Sequence, residues 1–141
     1  LTKKIKGKEL LTYIPAQILG CLLGVMLANV FFEHSIIELS TKNRGGFHIF
    51  LSEIVATFGL IFIIFATLKD GKTTVAACVA TYISAGYWFT SSTSFANPAV
   101  AIARTFTDSF TGINYLNTPT YIFAELLGAI AAVYIIKRFI K

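Results

Sequence analysis

The residues in this chain that could act on a solute gather between Ser91 and Arg104. Ser91, Ser92, Thr93 and Ser94 supply a run of hydroxyls, and Asn97-Pro98-Ala99 follows shortly after. Asn97 is a helix-capping residue type, and proline suits the first helical position, where a missing backbone donor costs least. If backbone N–H groups hold the Asn97 side-chain oxygen, its amide hydrogens face away from the helix, into any cavity beyond its start. The partial positive charge at a helix start repels cations and favours solute oxygens that accept hydrogen bonds. A neutral solute can exchange its water hydrogen bonds for such donors, with no covalent step. Catalysis lacks its parts here. Ser, His and Asp converge on no helical face, and His34, His48, Cys21 and Cys78 form no cluster at metal-ligand spacing. The expectation is therefore no enzyme, no cofactor and no metal. Both cysteines sit in apolar stretches and read as packing residues, with no disulfide implied.

Those residues need a scaffold, and its composition is that of a membrane protein. Hydrophobic residues make up 55% of the chain, charged residues 13%, and mean hydropathy is +0.71. The apolar residues fall in four blocks free of Lys and Arg: 10–32, 47–68, 73–90 and 120–136. A bilayer core needs roughly 20 helical residues, fewer where it is thin. The blocks read as four spans within one all-α transmembrane domain, 1–141. Segment 97–107 is too short to cross. At about 1.5 Å per residue it reaches roughly half the bilayer core, as a re-entrant half-helix preceded by an extended stretch, 91–96. Such backbone is tolerated at membrane depth only where it is buried or lines a wet cavity. Within the spans, Pro15 falls in the first turns of span one. Ala16, Gly20, Gly24 and Ala28 form a small-residue stripe for close helix approach. Glu53, near the outer end of span two, reads as a partner for backbone donors rather than a proton carrier. Lys69 to Lys72 make a tight turn.

Charge placement sets the orientation. Lys3, Lys4, Lys6 and Lys8 precede the first span, Lys69 and Lys72 sit between the second and third, and Lys137, Arg138 and Lys141 follow the fourth. Only Lys42, Arg44 and Arg104 fall on the opposite side. This asymmetry predicts both ends of the chain in the cytoplasm and a multi-pass protein of the cell membrane. It also accounts for the net charge of +5 without nucleic acid, since no basic patch is interleaved with aromatics. Tyr87, Trp88, Phe89, Tyr115 and Tyr121 read as an outer aromatic belt, with Arg104 an anchor at the same interface.

Span four repeats span one. Tyr13-Ile-Pro-Ala-Gln-Ile-Leu-Gly20 aligns with Tyr121-Ile-Phe-Ala-Glu-Leu-Leu-Gly128, and Val25 with Val133. The charge count gives the two helices opposite orientations, so the pattern is an inverted repeat, common in transport folds. The second copy holds two spans and a half-helix before its repeated helix, whereas the first begins with the helix itself. The expectation is that two spans and one half-helix stand upstream, with the chain a piece of a longer protein.

An Asn97-Pro98-Ala99 half-helix between the penultimate and last spans of such a fold resembles the aquaporin (major intrinsic protein) family. The Ser-Glu-Ile-Val-Ala-Thr-Phe stretch at 52–58 and the Gln17/Glu125 to Gly20/Gly128 pattern agree with it. The resemblance runs from that family's third span to its C-terminus. It implies an aquaporin-like helical bundle, partial here, and a channel for water and small uncharged solutes. It also implies a homotetramer in the lipid bilayer, each protomer with its own pore. Glu53 would brace the re-entrant loop backbone, and Glu125 would be a helix-packing partner. Water-selective members carry an arginine directly after Asn-Pro-Ala and a histidine in the fifth span. Val100 stands in the first slot and Ala85 in the second, with Gly86 beside it and Ser94 at a further constriction position. The resemblance thus implies a wide filter, lined by Ala85, Gly86, Ser94, Asn97, Pro98, Ala99 and Val100. It would pass polyols, urea-like amides or neutral metalloid hydroxides. Half of a secondary transporter is the alternative, and would call for a buried carboxylate near the half-helix, with Glu53 the one candidate.

Overall fold

The computed structural model describes residues 7–139. Lys3, Lys4, Lys6 and Lys141, on which the expected cytoplasmic placement of both ends partly rests, lie outside the described residues. All regular structure among the described residues is helical. Helix α1 is Gly7–Phe31 and α2 is Phe47–Thr67, closed by a 3-10 turn at Leu68–Asp70. Helix α3 is Lys72–Phe89, α4 is Pro98–Ala103 with a 3-10 turn at Arg104–Phe106, and α5 is Thr118–Phe139. These bounds fall within a few residues of the apolar blocks. Because α1 starts at Gly7, Pro15 lies inside the helix rather than in its first turn, and it removes the donor that the Leu11 carbonyl would take.

Among the described residues three helices, α1, α2 with its terminal turn, and α5, are long and apolar enough to cross a membrane. Helix α3, expected as a further span, has 18 residues but carries Lys72, Thr73, Thr74, Thr81 and Ser84. Its hydroxyls turn back on their own helix. Thr74 Oγ1 donates to the Asp70 carbonyl at 3.0 Å, Thr81 Oγ1 to Ala77 at 2.9 Å, and Ser84 Oγ to Ala80 at 2.8 Å.

The chain divides into two compact units. One takes in α1, the loop after it to Arg44, and Asn97–Pro119; the other is Gly45–Ala96 with the chain from Thr120 onward. In the first, α1 lies against α4 and the turn that follows, burying Val25 and Asn29. In the second, α2 packs along α3. Helix α5 meets α2 at Gly128, where an added Cβ would come within 2.5 Å of the Ile54 carbonyl and 3.1 Å of the Phe58 nitrogen. Only a residue without a side chain permits that approach, which is how helices associate where lipid removes the hydrophobic drive. The Phe50 and Phe123 rings stack at 6.1 Å beside it. Tyr121, expected in the aromatic belt, is 1% exposed and packs against Phe95 at 5.1 Å. Trp88, at 91%, and Tyr87, Phe89 and Tyr115 do face outward.

Candidate functional site

The approach to the half-helix is built in the second unit. Thr93, Ser94 and Ala96 take left-handed backbone conformations, with φ of 66°, 52° and 49°. The stretch 91–96 is therefore coiled where an extended run was expected. Each such residue carries a steric cost of roughly 1–2 kcal/mol, because its Cβ crowds the following carbonyl. The strain is held by Glu53. Its carboxylate accepts from the Phe95 N–H through Oε1 and the Ala96 N–H through Oε2, both at 2.9 Å, and the side chain is fully buried. Two converging N–H groups make a small anion cradle, and charge-assisted bonds of this kind are stronger than neutral ones.

The hydroxyl run continues the bracing. Ser92 Oγ donates to Ser52 Oγ at 3.3 Å and accepts from the Ser94 N–H at 3.3 Å. Ser52 also accepts from the Ser92 N–H, so the residue preceding Glu53 shares its task. Sequence reasoning gave Ser52 no role, although its place beside Glu53 was the available signal. Ser94 is 4% exposed, and its side chain lies where a Cβ on Gly86 would come within 2.6 Å of the Ser94 hydroxyl. Ser94 and Gly86 are thus in contact, while Ala85 next to Gly86 is exposed. Glu125, on α5, is 1% exposed.

The half-helix itself belongs to the first unit. Asn97 is extended at φ −158° and ψ 119°, and its Oδ1 accepts from the Ala99 N–H at 3.0 Å. Its carbonyl takes the Val100 and Ala101 N–H groups at 2.9 and 3.1 Å, which starts the helix. Pro98 fills the first position and needs no donor there. The α-helical part ends at Ala103, shorter than expected, and tightens into the 3-10 turn to Phe106. Ala99, Ala101 and Ala103 are buried, small enough to let the surrounding backbone close in. Val100, half-buried, lines a cavity of about 170 Å³ with Ala103, Arg104 and the α1 residues Cys21, Gly24, Val25 and Ala28. Arg104 is half-buried and lines that cavity too, one helical turn after Val100 on the same face.

Two further residues shape this unit and had no place in the sequence reading. Asn29, 2% exposed, donates through Nδ2 to the Ile36 carbonyl at 3.2 Å and the Phe106 carbonyl at 3.0 Å. Asp108 joins the loop after α1 at Ser40 and Thr41.

The chain is 42% identical over 137 residues, 97% of its length, to a protein named "Aquaglyceroporin AqpS" from Rhizobium meliloti (strain 1021). It spans 59% of the length of that curated relative. No protein-family model matches the chain, and no solved structure matches it.

Proposed function

We propose that the chain is part of a member of the aquaporin, or major intrinsic protein, family and that it walls a channel for passive movement of water and small uncharged solutes across a cell membrane. The observation that carries this reading is the 42% identity, over 97% of the chain, to a protein named an aquaglyceroporin. In this reading Asn97, its oxygen tied to Ala99, offers the donor side of its amide to solute oxygens. The helix start disfavours cations at the same place. Val100, Ala85, Gly86 and Ser94 form the filter, wide for want of an arginine and a histidine. Solutes the size of polyols, urea-like amides and neutral metalloid hydroxides pass, with glycerol the first to try, given the name of the relative. Both ends of the chain lie in the cytoplasm, α3 crosses the membrane as the third of four spans, and the protein assembles as a tetramer.

Vesicles carrying the protein with its expected upstream half should shrink and reswell in glycerol with no ion gradient, and a Val100→Arg change should slow glycerol by about tenfold while sparing water. Transport that requires a gradient would replace the channel with a coupled carrier. Undiminished glycerol flux in the Val100→Arg protein would remove Val100 from the filter.

A further inference from the structure

The far end of the half-helix is held by a second set of bonds, all within the first unit. The last carbonyls of a helix have no partner inside it. Here the Arg104 carbonyl accepts from the Ile113 N–H at 3.1 Å, and the Thr105 carbonyl from the Ser40 N–H at 2.9 Å. The Phe106 carbonyl accepts from Asn29 Nδ2 at 3.0 Å and from the Glu38 N–H at 3.4 Å. Three consecutive carbonyls are thus met by donors from α1, from the outer loop and from the exit loop. Asp108 follows at once. Its Oδ1 accepts from the Thr41 N–H at 2.9 Å, from Ser40 Oγ at 3.2 Å and from Thr41 Oγ1 at 3.3 Å, and Oδ2 from Thr41 Oγ1 at 3.2 Å. Ser40 therefore bonds on both sides of the turn, to Thr105 through its backbone and to Asp108 through its side chain. Gly112 is pressed so close to the Thr107 carbonyl and Ser40 Oγ that no side chain fits there.

We propose that Asp108 is a positioning residue for solute selection. By fastening the outer loop at Ser40 and Thr41 to the exit of the half-helix, it fixes the axial and rotational setting of the turn that carries Val100 and Arg104. Asp108 touches no solute in this role; it acts through the backbone it restrains. The inference rests on the channel reading above. A loop this size would otherwise sample many conformations, and a misplacement of about 1 Å in a positioning element can cost far more than its own contacts. The Thr41 N–H, the hydroxyls of Thr41 and Ser40, and nearby Lys42 hold the Asp108 carboxyl below its ordinary range. An acid whose folded pKa is depressed contributes above its unfolded pKa and loses its effect as pH falls through the folded value, so the latch is closed at neutral pH.

The test measures water and glycerol permeability per channel in vesicles, for the wild type and for Asp108→Ala, Asp108→Asn and Thr41→Pro. Loss of the latch should change the glycerol-to-water ratio by about fivefold in Asp108→Ala. Thr41→Pro, which deletes the shortest of the bonds, should match it. Asp108→Asn keeps an acceptor for the Thr41 N–H and should fall between. Where Asp108→Ala fails to reach the membrane, Thr41→Val serves instead; it removes only the hydroxyl bonds and should shift the ratio in the same direction by a smaller factor. A Ser40→Cys/Asp108→Cys pair, oxidised to close the loop covalently, should restore the wild-type ratio. A ratio unchanged in all the variants, or water and glycerol lowered in step with less folded protein, would overturn the proposal. A wild type that passes neither solute would overturn the channel reading, and the role of the latch with it.

Discussion

Helices α1 and α5 carry the same sequence pattern and live in different surroundings. Tyr13 is 56% exposed and its counterpart Tyr121 is 1% exposed. Ala16 and Gln17 face outward, whereas Ala124 and Glu125 are buried. The sharpest contrast is between the glycines. A Cβ on Gly128 would strike the backbone of α2, whereas one on Gly20 or Gly24 would meet no heavy atom within 4 Å among the described residues. The pattern therefore records what a helix face is able to do, which is to let another backbone come close. Whether that ability is used depends on the neighbour. In α5 it is used, and the α2 turn it grips begins right after Glu53.

Three substitutions sharpen or break this contrast. The largest effect is expected from Gly128→Val, which forces side-chain atoms into the Ile54 carbonyl and the Phe58 nitrogen. Overpacking against backbone that cannot yield should lower stability by about 3 kcal/mol or more, read as a drop in the melting temperature of the detergent-solubilised protein. A near-normal melt would show that the α2–α5 approach is looser than described. Glu53→Gln comes next. One oxygen can still accept, but the other N–H of the Phe95–Ala96 pair loses its acceptor in a buried place, at a cost of about 1–3 kcal/mol. Faster amide exchange at Phe95 and Ala96 is the specific readout, and unchanged exchange would take the loop out of Glu53's hands. Smallest is Gly20→Ala. With space around it and a better helix former in place of glycine, stability should hold or rise by roughly 0.5–1 kcal/mol. A clear loss would mean that something packs on this face after all, and the two copies would be more alike than they look.

How far this architecture could be read beforehand depended on the range of the interaction. The half-helix start was legible because capping is local: Asn97 and Pro98 announce it within two residues, and the Asn97–Ala99 bond is the one their types call for. The long apolar blocks were legible from length alone. The coil at 93–96 was not, since Thr, Ser and Ala have no preference for positive φ. Their conformation is imposed by a carboxylate some forty positions earlier in the chain. Asp108 escaped for the same reason, as its partners at Ser40 and Thr41 lie 68 and 67 positions away. Tyr121 was misassigned because an amphipathic ring suits a membrane interface and a packed core equally well, and only its contact with Phe95 separates the two.

The hydroxyls of α3 bear on how that helix would enter lipid, if it is the span proposed above. A hydropathy sum charges each threonine and serine as a group torn from water. Thr74, Thr81 and Ser84 have already spent their protons on carbonyls a turn behind them. What they would show to hydrocarbon is mostly a methyl or methylene group and an oxygen lone pair, so the insertion penalty would lie below the value their side chains suggest on paper. A segment can thus remain rich in small polar residues, keep a slim profile for close packing, and still partition into a bilayer.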